Sequence, residues 1–306
     1  MKFLFFLFFL FSSLSCGSCY TKPLKIVATI PPLASLVKSL VGDAGEVRLL
    51  LESEGSPHSY YMKPSDLLTV ESADIILWIG PELESFLVPI LEKVDKKSVK
   101  VFSALSVKDL VTYGYRCVSD GHHAQCHHHH GDLDPHIWLD PYNMILVAEA
   151  LKESLIHQFP SLKNILEENF KELKTKLANL DQKVKNILRN SSSQSFFVIH
   201  DALQYLEESA NLKPSLPMST HPESGLTIRR LRTLKKIVRL EKVRCLFGDK
   251  AYDPELLAKF ARKLNLSYKI LDVLGYRDYD TPLDYEDMMT SLVLNMSSCL
   301  TAARKP

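Results

Sequence analysis

From residue 24 to its end the chain alternates short β-branched runs with longer amphipathic segments, and it does so twice. That alternation calls for parallel strands, because parallel neighbours cannot be joined by tight turns and need crossover helices. In the first half, residues 24–29, 47–51, 74–80 and 99–103 read as strands, with helices starting at Pro31-Pro32 and covering 64–72 and 82–94. The second half repeats the arrangement with strands at 195–200, 214–218, 244–247 and 268–273 and a closing helix at 284–303. Between the halves, residues 142–190 hold few turn formers and break at Pro160, where Ser161 is placed to cap the next helix. Residues 164–189 then carry Ile165, Leu166, Phe170, Leu173, Leu177, Leu180, Val184, Ile187 and Leu188 near spacings of three and four. This predicts one amphipathic helix about 40 Å long. The expected fold class is α/β, with two parallel-sheet lobes tied by a long connecting helix. A coiled-coil dimer would need a sustained a/d register that this segment lacks, so a monomer is expected.

The 306 residues hold 37 Lys+Arg against 36 Asp+Glu, and 46% are hydrophobic, which is enough to fill two cores. So balanced a chain has no broad field for gripping nucleic acid or an anionic membrane. The basic segment Arg229, Arg230, Arg232, Lys235, Lys236 and Arg239 is interleaved with Leu226, Ile228, Leu231, Leu234, Ile237, Val238 and Leu240. It reads as an amphipathic helix with a solvated charged face. At the N-terminus, Lys2, the apolar run 3–11 and the small-residue stretch 12–17 read as an export signal covering 1–19, cleaved between Cys16 and Tyr20. The run is too short to cross a bilayer, which takes about 20 apolar residues. Cys16, after Leu14-Ser15, is a candidate lipidated residue, although Ser13 stands where Leu is usual; the alternative is a freely diffusing product.

Export favours oxidised thiols. Of six cysteines, Cys117 and Cys126 flank the first part of a His-rich tract, and Cys245 and Cys299 lie in the C-terminal third. Two disulfides fit this usage, the second closing a loop worth roughly 4 kcal/mol in the chain-entropy model. The chain thus divides into the signal, an N-terminal lobe at 20–141 with a His-rich loop at 117–131, a connecting segment at 142–190 and a C-terminal lobe at 191–306.

Eleven histidines are present, and six of them (His122, His123, His127, His128, His129 and His130) crowd into residues 122–130. Such a tract cannot bury a core and is expected as an exposed loop. Three of the others have a more telling context. His58 follows the second strand in Gly55-Ser56-Pro57-His58-Ser59-Tyr60; His136 sits in Asp134-Pro135-His136-Ile137-Trp138-Leu139-Asp140-Pro141; His200 ends the strand Phe196-Phe197-Val198-Ile199. All three lie at or beside element ends, where open α/β sheets bind ligands. Asp272 closes an apolar strand and is a fourth candidate, but an acid there can instead cap the following turn, which its spacing favours. His157 and His221 have bland settings. The candidates are more than 60 residues apart in sequence, which fits no zinc-finger arithmetic. Closing such loops costs several kcal/mol of chain entropy, so a folded scaffold must preform the site.

Taken together, these stretches resemble the solute-binding proteins of metal-importing ABC transporters, within them the zinc-binding periplasmic branch of the ZnuA type (cluster A-I, TroA-like). Pro57-His58-Ser59-Tyr60 with Pro64-Ser65-Asp66, the run from Asp134 to Pro141, Ile199-His200-Asp201-Ala202 with Tyr205, and Asp272-Val273-Leu274-Gly275 carry the likeness. The resemblance implies two (βα)4 lobes, a long connecting helix and one metal in the cleft, held by His58, His136 and His200, with Asp272 or water completing the shell. It also implies a Cys245–Cys299 disulfide, Zn2+ as the transported ligand and an ABC permease as partner. Pro57 stands where some members place an acid beside the first His, and Phe247-Gly248-Asp249-Lys250 replaces a more usual Glu-Pro pair.

Three neutral imidazoles plus a carboxylate or water suit Zn2+, whereas Mn2+ prefers more oxygen ligands; manganese or iron is the alternative cargo. The His-rich loop is then expected to act as a low-affinity antenna. An enzyme is not expected: there is no His-Glu-x-x-His pair, no Gly-x-Ser-x-Gly elbow and no Glu beside a candidate ligand. A metal-dependent adhesin is the remaining alternative, which a lipidated Cys16 would permit.

Overall fold

The computed structural model describes residues 23–52, 55–95, 98–116, 133–218, 228–276 and 284–302. In the N-terminal lobe, β1 (Leu24–Ala28), α1 (Pro31–Val41), β2 (Gly45–Leu49), α2 (Pro64–Glu71), β3 (Ile75–Trp78), α3 (Val88–Leu91) and β4 (Lys100–Ser103) follow in order. The helices α4 (Pro141–Gln158) and α5 (Lys163–Leu188) lead into the C-terminal lobe. That lobe is built of β5 (Phe196–Val198), α6 (Gln204–Ser209), β6 (Leu216–Pro217), α7 (Ile228–Leu240), β7 (Cys245–Asp249), α8 (Pro254–Leu264), β8 (Ser267–Leu271) and α9 (Tyr285–Leu300). The described strands pair in parallel in two four-stranded sheets, ordered β2-β1-β3-β4 and β6-β5-β7-β8. Both lobes therefore use the same order, and in each the order reverses beside the first strand, opening a crevice at the carboxyl ends.

Burial follows strand position. The inner strands β3, β5 and β7 are buried along their whole length, as parallel strands covered on both faces must be, while the edge strand β8 is largely exposed and β4 is exposed over its first half. One apolar core runs through both lobes, joining residues of β1, β5 and β7 to α1, α4, α5 and α9. The opposite sheet faces pack on smaller clusters of their own. Helix α5 spans 26 residues and buries Leu166, Phe170, Leu173, Leu177, Leu180, Val184 and Leu188 on one stripe. It packs against α1 of one lobe and α9 of the other, so it belongs to both.

Some local readings differ from the structure. Residues 82–94 do not form one helix, because Pro89 has no amide for a helical ladder and is tolerated only in a first turn; a 3-10 turn at Ser85–Leu87 runs instead into the short α3. Ser161 does not cap α5. It lies inside the 3-10 turn Pro160–Leu162, whose Pro160 carbonyl takes the Lys163 amide. Ile165 is exposed rather than on the buried stripe, as are the end residues Ile228 and Leu240 of α7, where Leu234 alone is fully buried among the described residues. The export signal with Cys16, the tract at 122–130, Cys117, Cys126, His221 and Leu226 lie outside the described residues. No described helix is long and apolar enough to cross a membrane.

Cys245 of β7 and Cys299 of α9 form a disulfide across 54 residues, fastening the closing helix to an inner strand. Replacing both by alanine is expected to lower stability by roughly 4 kcal/mol through the loop entropy regained by the unfolded chain. A urea midpoint that does not move would contradict this.

Candidate metal centre

The loops that leave the strand ends of both lobes converge on one cavity. The N-terminal lobe and the segment entering α4 line it with Gly55, Ser56, Pro57, His58, Leu83, His136 and Trp138; the C-terminal lobe lines it with His200, Asp249, Lys250, Ala251, Asp272, Val273, Leu274 and Tyr276. Each histidine arrives by a different local device. His58 sits on a 3-10 turn, Pro57–Ser59, and its amide donates to Ser56 Oγ at 3.3 Å. The chain just beyond is pinned by buried Asp66 at the start of α2, which accepts the Lys63 amide at 2.7 Å and the Tyr60 hydroxyl at 2.8 Å. His136 is 2% exposed. Its amide and its Nδ1 both engage Asp134 Oδ1, at 3.0 and 2.6 Å, and the Tyr205 hydroxyl donates to the Asp134 carbonyl at 2.6 Å. His200 stands just past β5, with Nδ1 2.9 Å from Asp249 Oδ2.

One ring nitrogen from each of the three lies within 4.8 Å of the other two. His58 Nε2 and His136 Nε2 are 3.3 Å apart. Two nitrogens held tetrahedrally at a Zn–N distance of about 2.0–2.1 Å would be about 3.3–3.4 Å apart, so the spacing suits a shared small cation. The carboxylates beside His136 and His200 fix each ring with its proton on Nδ1, leaving the Nε2 lone pair for a ligand. Burial pushes the Asp134 carboxyl up to about 6, still ionised at neutral pH. Burial, reinforced by repulsion from His136 and His200, lowers His58 to about 3, and burial followed by repulsion from His200 holds His136 well below its ordinary value. Both rings are therefore neutral at pH 7, the state in which imidazole binds a metal.

Asp272 lines the same cavity but is not among the three gathered nitrogens. Its Oδ1 accepts the Leu274 and Gly275 amides at 3.1 and 2.6 Å, and its Oδ2 pairs with Lys250 Nζ at 3.0 Å. The turn it caps needs glycine: Gly275 has φ of +79°, and a Cβ there would come 3.0 Å from Met288 Cγ. His157 is exposed on α4, away from the cavity. Asp201, next to His200, pairs instead with Arg116, which also binds buried Glu207 and so ties the lobes together beside the site.

Asp134 and Asp249 were not singled out by the sequence reading. For Asp134 the signal was local, since an acid two residues before a histidine can reach back to its ring and amide. For Asp249 it was not: strands β5 and β7 pair Val198 with Phe247, and only that register carries Asp249 alongside His200.

Facing strand ends of two parallel-sheet lobes, with a lined cavity between them, define a two-lobed binding protein of the cleft type. Residues 26–299 match the family described as "ZnuA: Zinc-uptake complex component A periplasmic", and the chain belongs to that family. Among its relatives, the high-affinity zinc uptake system protein ZnuA of Yersinia pestis is 26% identical over 288 residues, covering 90% of this chain and 91% of that protein. The protein of the same name from Paracoccus denitrificans is 28% identical over 259 residues, 76% of this chain and 78% of its own length. In fold, the chain is similar to a crystal structure of ZnuA with a TM-score of 0.77 at 19% identity, covering 91% of this chain and 100% of that one. The Zn(II)-bound ZnuA-like domain of Streptococcus pneumoniae AdcA follows at 0.74 and 24% identity, covering 92% and 100%.

Proposed function

We propose that this chain binds Zn2+ outside the cytoplasm through His58, His136 and His200 and delivers it to an ABC permease for import, without catalysing a reaction. The observation that carries this reading is the convergence of three imidazoles from separate loops on one cavity, two of them oriented by buried carboxylates. Nitrogen ligands in a four-coordinate shell favour Zn2+ over Mn2+, with water as the exchangeable fourth ligand. Membership of a periplasmic zinc-uptake family supports export and a permease partner. In this reading the histidines at 122–130 form an auxiliary capture loop, the product is a monomer, and Cys16 is its candidate anchor.

The test is a competition titration of the metal-free mature protein with Zn2+ and Mn2+ against a chromogenic chelator. We expect one tight Zn2+ site per chain, with Mn2+ unable to displace an equimolar amount of Zn2+. Preference for Mn2+ would overturn the assignment of cargo.

A further inference from the structure

The cavity holds, beside the three histidines, a carboxylate and an ammonium that occupy each other. Asp272 has an oxygen that could serve a cation, yet Oδ1 is committed to the amides of Leu274 and Gly275 and Oδ2 to Lys250 Nζ at 3.0 Å. Lys250 is itself held in place, for Nζ also donates to the Tyr276 carbonyl at 2.7 Å. The Tyr276 hydroxyl in turn reaches across the cleft to the Leu51 carbonyl at 2.8 Å, which steadies the turn carrying that carbonyl. To ligate a metal, Asp272 would have to give up the ammonium and leave it beside a dication.

We propose that Lys250 is a selectivity residue: by holding the Asp272 carboxylate in an ion pair, it withholds an oxygen ligand from the cavity and disfavours Mn2+ relative to Zn2+. The inference rests on the three-histidine site proposed above. Zn2+ is satisfied by three imidazoles and water, whereas Mn2+ gains most from each added carboxylate oxygen. Lys250 thus acts through Asp272 and does not touch the metal.

The experiment compares wild type with K250M, D272N and the double variant K250M/D272N, titrating each with Zn2+ and Mn2+ in competition and recording the visible spectrum of the Co2+-loaded form. In K250M the Mn2+ affinity should rise on the order of tenfold, and more than the Zn2+ affinity, because the freed carboxylate joins the shell. The Co2+ bands should weaken as coordination expands, and the double variant should return both readouts to wild type. D272N alone keeps the Oδ1 cap but leaves the Lys250 ammonium without its counter-charge beside the dication, so both affinities should fall together, with the Zn2+ to Mn2+ ratio held within about threefold because the carboxylate is not a ligand in wild type. An unchanged Zn2+ to Mn2+ ratio in K250M that still binds both metals would overturn the proposal, as would a gain that persists in the double variant. Should K250M fail to fold, D272N decides by itself, because a Mn2+ affinity that falls more than about tenfold further than the Zn2+ affinity, or altered Co2+ bands, would make Asp272 a ligand already. Failure of the three-histidine site is recognised separately, by unimpaired Zn2+ binding after loss of a histidine.

Discussion

Zn2+ affinity is expected to fall by more than roughly 100-fold when His136 is replaced by alanine, beyond the roughly 10–100-fold typical of losing a partner that merely orients a ligand. His136 is the most buried of the three imidazoles and the one whose Nε2 lies 3.3 Å from that of His58. Its loss removes a nitrogen and also leaves Asp134 Oδ1 without the ring that occupies it at 2.6 Å. His157→Ala, on the exposed face of α4, is the control and should bind as wild type. Competition titration of both variants reads the difference. Affinity within about threefold of wild type for His136→Ala would remove the basis of the proposed site, given that a lost ligand exceeds an outer-shell loss.

The second large effect concerns stability. Trp138→Ala is expected to cost about 3–5 kcal/mol, the range for emptying a buried aromatic position. Trp138 is 1% exposed, and its indole Nε1 donates to the Val273 carbonyl of the C-terminal lobe at 2.7 Å. Its own carbonyl accepts the Tyr285 hydroxyl at 2.7 Å. Substitution therefore opens a cavity between the lobes and also strands the Val273 acceptor, and the two costs act together. Chemical denaturation of the metal-free protein is the suitable measurement. A loss under about 1 kcal/mol would mean that the lobes repack around the gap, contrary to the close packing of such interiors.

Much of this molecule was legible in the sequence because its strands are short, β-branched and bounded by turn residues, and because α5 repeats its apolar residues with helical spacing. Three histidines stood out by position alone, each at the end of an element in a fold class that binds ligands there. What could not be read depends on relations between distant segments. Asp249 becomes a partner of His200 only through the pairing register of β5 and β7. The engagement of Asp272 by Lys250 requires the loops after β7 and β8 to meet, and β8 is paired to β7 all the way to Asp249 and Leu271. Residues 82–94 mislead for the opposite reason: their apolar spacing is helical, but Pro89 overrules spacing wherever the ladder needs its amide.

Helix α5 bears on how such a molecule can move. A flexible tether between lobes would let them swing about a hinge, but α5 inserts its apolar stripe into a core shared by α1 and α9. Large rotation of one lobe would drag that stripe out of contact, along with the hydrogen bonds of Trp138 to Val273 and Tyr276 to Leu51. The inexpensive motions are instead small sliding adjustments of packed helices and rearrangements of the loops at the cavity rim. A docking partner would then have to sense cargo through local changes in those loops, and release would begin with a side chain turning away rather than with the two halves parting.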